Sequence, residues 1–198
     1  MPQPSPRVQI AERWLARRAK PAILRAMRQD RAAEGVITRW SNAADSRALA
    51  EIHAASWRYA YAGIIPGAAL ERAVSRRGPA WWGRMHARGF HALMLDCDGI
   101  AAGYATLGRC RSGSPPWRGE IYELYLRPEY HGTGLGRRLF EESRTRLRRH
   151  GLGALRVWAL AENSVACRFY AAMGGVEFAR ADERFAGAML QKVGFAWR

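Results

Sequence analysis

His131-Gly132-Thr133-Gly134-Leu135-Gly136-Arg137 decides the fold, because of the segments on either side of it. Before it, Glu120-Ile121-Tyr122-Glu123-Leu124-Tyr125-Leu126 has the aromatic and aliphatic content and the alternation of a strand. Arg127-Pro128-Glu129-Tyr130 then ends that strand, since proline has no N–H to give to a ladder. After it, Leu135, Leu139, Phe140 and Leu147 recur at helical spacing. Glu141 and Glu142 come early in that segment and Arg144, Arg146, Arg148 and Arg149 late, an order that suits the helix dipole. The segment reads strand, glycine-rich turn, helix. Such a turn suits a phosphorylated ligand: glycines admit close approach of the backbone, and the first helical turn presents N–H groups without intrahelical acceptors. The same glycines also suit a helix start that needs only flexible residues, and on their own they do not separate the two. Gly134-Leu135-Gly136-Arg137 lacks the Gly-Lys-Ser/Thr of a phosphoryl-transfer loop.

The chain has 198 residues, 48% of them hydrophobic, with eight tryptophans, enough for one domain with a real core or one domain with an appendage. No apolar run approaches the ~20 residues that span a bilayer. Met1 to Pro6 has no secretory apolar stretch. Cys97, Cys110 and Cys167 are scattered without metal-ligand spacing, so no metal is expected and a reducing, cytoplasmic location is. The formal charge of +15 is almost wholly arginine, the only lysines being Lys20 and Lys192. Such a surplus attracts nucleic acid, anionic lipid or an acidic cofactor. No nucleic-acid module pattern accompanies it, so a basic binding module without catalysis stands as the rival reading rather than the principal one.

Residues 1–34 read as a basic helical appendage, with Trp14, Leu15, Ile23, Leu24 and Met27 at helical spacing among arginines and Pro21 dividing them. A basic amphipathic helix suits a membrane surface or a partner, but its apolar side is rather expected to pack on its own domain or on a second subunit, and with an exposed final strand this makes a homodimer plausible. Residues 35–198 form the body. Strands are expected at Val36–Trp40, His91–Cys97, Ile100–Leu107, Glu120–Leu126, Leu155–Leu160, Val176–Arg180 and Met189–Phe195. Asp98-Gly99 reads as a hairpin turn. Helical pieces begin near Asp45, Ala68 and Trp81, and again after Gly134 and Asn163. The order predicts an α+β fold with a mixed, mostly antiparallel central sheet flanked by helices.

Two of these blocks resemble a known family. Glu120 to Leu139, with its strand, proline corner and His131-Gly132-Thr133-Gly134-Leu135-Gly136, resembles the central motif of the GNAT N-acetyltransferase superfamily. There the pattern is Gln/Arg-x-x-Gly-x-Gly/Ala opening a helix, and His131 stands where glutamine or arginine is usual. The second block, Asn163 through Phe169-Tyr170 to Gly174, resembles the family's following helix. The likeness runs from about Val36 to Phe195.

The resemblance implies an acetyl-coenzyme A-dependent N-acetyltransferase acting on a small-molecule or peptide amine, with acetyl-coenzyme A as co-substrate. It implies that backbone N–H groups across Gly132, Thr133, Gly134, Leu135, Gly136 and Arg137, beside His131, receive the pyrophosphate. It further implies a splayed strand at Leu124, Tyr125 and Leu126 along the pantetheine, the Leu126 N–H polarising the thioester carbonyl. Asn163 corresponds to a pantetheine contact and Tyr170 to the general acid that protonates the departing thiolate; a helix cap and a core tyrosine are the plain alternatives. Glu120 holds the position of the base in some members. Glu123 is a second carboxylate, on the opposite face of the strand if alternation is regular. Ion pairing with the many arginines would account for either one.

Overall fold

A computed structural model describes residues 35–111, 116–185 and 188–198; the appendage read at 1–34 lies outside them. Seven strands form one sheet in the order β1-β2-β3-β4-β5-β7-β6. They are β1 Val36–Trp40, β2 Leu93–Cys97, β3 Ile100–Arg109, β4 Gly119–Leu126, β5 Leu155–Leu160, β6 Val176–Phe185 and β7 Ala188–Trp197. All neighbours are antiparallel except β4 and β5. The helices are α1 Ser46–Tyr61, α2 Gly67–Arg76, α3 Pro79–Ala87, α4 Leu135–Arg149 and α5 Ser164–Ala172. The architecture is α+β with a mixed sheet, as the sequence predicts. None of the helices described is long and apolar enough to cross a membrane.

Helices cover both faces of the sheet. Leu135 and Leu139 of α4 pack on Leu93, Leu95, Ala105 and Leu126. Phe140 and Leu147 of α4 join Tyr170 of α5 over Ile121, Leu155, Val157, Phe195 and Trp197. On the opposite face, Leu49 and Ile52 of α1 and Trp82 of α3 close over Met94 and Tyr104. Asn42 starts the first helical region with a capping box: its side chain accepts from the Ala44 N–H while Asp45 accepts from the Asn42 N–H. Asp98 and Gly99 both have positive φ, 51° and 77°, as a two-residue hairpin turn requires.

Several strand boundaries differ from the sequence reading. β6 runs on to Phe185 instead of ending near Arg180, because Glu177, Arg180, Asp182 and Glu183 lie on an edge strand with a largely solvated surface. β3 extends to Arg109 and β4 begins at Gly119, which shortens the predicted loop at both ends.

Candidate active site

The parallel pairing of β4 with β5 lasts only from Gly119–Ile121 against Leu155–Val157. Beyond it the two strands part, leaving Tyr122–Leu126 without a neighbour on that side. Over that stretch the gap is roughly 16 Å long at the usual rise per residue. The Arg127 N–H donates to Ala102 O of β3. Alternation along the strand therefore turns the N–H groups of Leu126 and Leu124 away from β3 and into the gap. The Leu126 carbonyl accepts from Ser56 Oγ at 2.8 Å and from His131 Nε2 at 3.3 Å, so its N–H is the polar group left to line the opening.

The glycine turn follows directly. Gly132 and Gly134 adopt φ of 76° and 85°, and a Cβ built on either would meet nothing within 4 Å, so the backbone faces open space. Gly134 caps α4 without any side-chain bond, and the N–H groups from Gly132 to Arg137 have no backbone acceptor among the described residues. Thr133 Oγ1 closes the turn by donating to Tyr130 O at 2.7 Å. Leu135 is buried, whereas Gly136 lies against Leu126 and Phe169, joining α4 to β4 and α5. Arg137 is exposed, 3.8 Å from Glu141. His131 meets the Tyr59 ring edge-on at 4.9 Å.

Asn163, just past the end of β5, caps α5, its Oδ1 accepting from the Ala166 N–H at 3.1 Å. Tyr170 lies in a cage of Phe140, Phe169, Phe195 and Trp197. Burial pushes its hydroxyl well above the ordinary phenol range, with Tyr61 and Cys167 adding to the shift. The group therefore stays protonated at neutral pH, and its hydroxyl makes no hydrogen bond among the described residues. Tyr61, absent from the sequence reading, brings its hydroxyl to 3.4 Å from that of Tyr125. Its signal was the one-turn spacing of His53, Trp57 and Tyr61, whose rings pack successively along α1.

The two carboxylates differ sharply. Glu120 is 1% exposed, and both its oxygens are taken: Arg111 binds Oε1 at 2.5 and 2.9 Å, and Arg156 binds Oε2 at 3.0 and 3.2 Å. Burial works to raise its pKa, but Arg111 and then Arg156 overcome that and hold the carboxyl below its usual range. Glu123 pairs with Arg77, accepts from Tyr104 and borders a cavity. Regular alternation would set Glu123 on the opposite face from Glu120, but a bulge corrects this. Thr106 pairs with Glu123 and Leu107 with Ile121, so Tyr122 is the extra residue. Both carboxylates consequently face the α1–α3 side.

Beneath Glu123 lies fully buried His53. The Tyr104 hydroxyl donates to Glu123, so it accepts from the His53 Nδ1–H, 3.1 Å away. Burial, aided by Arg77, lowers the His53 pKa from 6.5 to about 3. Below about pH 6.5 the unfolded chain thus binds a proton that the folded chain refuses. The corresponding stability is intact above that pH and falls by about 1.4 kcal/mol per pH unit down to about pH 3. Urea unfolding at pH 7 and pH 5 measures the slope, and His53→Gln is expected to remove this share of it.

Residues 47–175, from the first turn of α1 to just past α5, match the model of the acetyltransferase (GNAT) family. The chain belongs to the GNAT family. The uncharacterized N-acetyltransferase YuaI of Bacillus subtilis (strain 168) is 30% identical over 162 residues, covering 82% of this chain and 92% of that protein. Among solved structures, the PaiA N-acetyltransferase of Thermoplasma acidophilum in complex with coenzyme A aligns with a TM-score of 0.64 at 21% identity. It covers 79% of this chain and 97% of its own. The putative acetyltransferase YncA of Salmonella typhimurium, solved with acetyl-CoA, aligns at 0.57 and 21% identity over 83% and 94% of the two chains. The GNAT match thus takes in the strand gap, the glycine turn and α5. Among the described residues no cluster of His, Cys, Asp and Glu is arranged to hold a metal ion.

Proposed function

We propose that this GNAT enzyme transfers an acetyl group from acetyl-coenzyme A to a primary amine by direct attack, with no covalent enzyme intermediate. The observation that carries the reading is an unpaired strand edge that runs on into a glycine turn of acceptor-less N–H groups, with a buried protonated tyrosine on α5. The residues fit an extended thioester of a nucleotide. The open space at Gly132 and Gly134 admits a pyrophosphate, and the strand gap admits a thin arm.

Bound acetyl-coenzyme A supplies the acyl group, already activated as a thioester. The chain's own groups do the rest. N–H groups from Gly132 to Arg137 hold the pyrophosphate, helped by the dipole of α4. The Leu124 and Leu126 N–H groups pair with the pantetheine and stabilise the charge that grows on the acyl oxygen. Asn163, its Oδ1 spent on the helix cap and its amide donating to the Tyr61 hydroxyl, has one amide N–H left for the pantetheine. Glu123 accepts the proton of the attacking nitrogen as the C–N bond forms. Tyr170 donates its proton to the sulfur as the C–S bond breaks.

Calorimetric titration with acetyl-coenzyme A tests the first half, with saturable heat that coenzyme A competes away as the expected result. Gly134→Val forces a branched side chain into positive φ, and is expected to weaken binding about tenfold. A chain that binds nucleic acid in a salt-sensitive way, yet neither binds acetyl-coenzyme A nor releases thiol with any amine, is instead the rival binding module.

A further inference from the structure

We infer that the acceptor is a small amine bearing a carboxylate, a free amino acid or close analogue, held between Arg77 and Arg111; this rests on the transferase reading above. A cavity of about 180 Å³ opens on the α1–α3 side of β4, with Glu123, Arg77 and Arg111 in its wall. Its charges do not cancel. Glu123 balances Arg77, while Glu120, the partner of Arg111, is also paired with Arg156 from behind. One guanidinium charge is therefore left over in the wall, at Arg111, whose side chain is 65% exposed. Arg111 uses Nε and Nη2 on Glu120, and among the described residues its Nη1 has no partner.

Both guanidiniums are held in fixed planes by aromatic faces. Arg77 lies 5.0 Å from the centre of the Trp81 ring, and Arg111 lies 4.7 Å from that of Tyr122. A planar cation fixed in this way suits a carboxylate, which takes two parallel hydrogen bonds. At the other pole Glu123 suits an ammonium group, and it directly precedes Leu124, whose N–H lines the thioester gap. Met85 and Phe90 leave apolar wall for a side chain. At about 30 Å³ for each water, the volume admits roughly six non-hydrogen atoms, the size of a small amino acid. A polyamine, carrying only positive charge, gains nothing from the surplus guanidinium.

Binding, rather than turnover, is the test. Protein saturated with coenzyme A is titrated with L-amino acids, their carboxamides and the matching amines that lack the carboxylate. The expected result is that at least one amino acid binds about tenfold or more tighter than its carboxamide and its decarboxylated amine. Arg111→Gln is expected to lose that preference while affinity for the carboxamide stays the same, a differential that misfolding does not produce. Arg77→Gln, which keeps a donor for Glu123, serves as the second variant with the same expected direction. Carboxamides or decarboxylated amines binding as well as the amino acids, or no amino acid binding at all, overturns the inference. Thiol release with such other amines then leaves the transferase reading standing. Tight, Arg111-dependent binding of an amino acid without thiol release upholds the pocket and overturns transfer.

Discussion

Tyr170→Phe is expected to lower turnover by about 100- to 1000-fold while leaving affinity for acetyl-coenzyme A unchanged. The substitution removes one oxygen and keeps the ring that Phe140, Phe169, Phe195 and Trp197 enclose. The hydroxyl bonds to nothing among the described residues, so its loss leaves no partner stranded and costs the fold little. What the variant lacks is the proton. The raised pKa of Tyr170 keeps that proton in place through neutral pH, ready for a sulfur that leaves as thiolate. Separate measurement of kcat and of coenzyme A binding decides the matter. Equal loss in both, with a lowered melting temperature, makes Tyr170 a packing residue and sinks its role as acid.

The second large effect concerns stability. Glu120→Ala strips the partner from Arg156, whose side chain is only 10% exposed. An uncompensated buried guanidinium costs about 3 kcal/mol, which for a chain of this size lowers the melting midpoint by roughly 6 to 12 °C. The pH dependence has the same origin. Arginine contacts hold the Glu120 pKa below its ordinary value, so this stabilisation is present above the usual carboxylate range. It is lost as pH falls through the lowered value. Glu123→Gln contrasts with this: it is expected to keep the melting midpoint near wild type and lose about 100-fold in kcat/KM. A Glu120→Gln protein that melts like wild type yet is inactive reverses the assignment and makes Glu120 the base.

Much of the fold was legible because its signals are local. Proline at 128, positive-φ glycines at 132 and 134, and the leucine spacing of α4 lie within one short stretch, and each constrains the backbone by itself. The strand, turn and helix around them came out in order. The carboxylates were less legible. Alternation gave the wrong side for Glu123, because the extra residue at Tyr122 depends on how β3 pairs, and that pairing is not written in β4. The partners of Glu120 and Glu123 were hidden as well. Arg156 is 36 residues from Glu120 and Arg77 is 46 from Glu123, and with arginines so abundant no spacing singles them out. β6 was read short because a polar edge strand lacks the apolar alternation that marks a covered one.

The brief contact between β4 and β5 has a mechanical consequence. Three residue pairs join the four-stranded half of the sheet to the three-stranded half. Elsewhere along that seam, cohesion comes from side chains gathered around Phe140 rather than from a ladder. An extended molecule lying there with amides of its own acts as a missing rung, stitching the halves together. Loading the donor is thereby expected to stiffen the platform on which the acceptor lands.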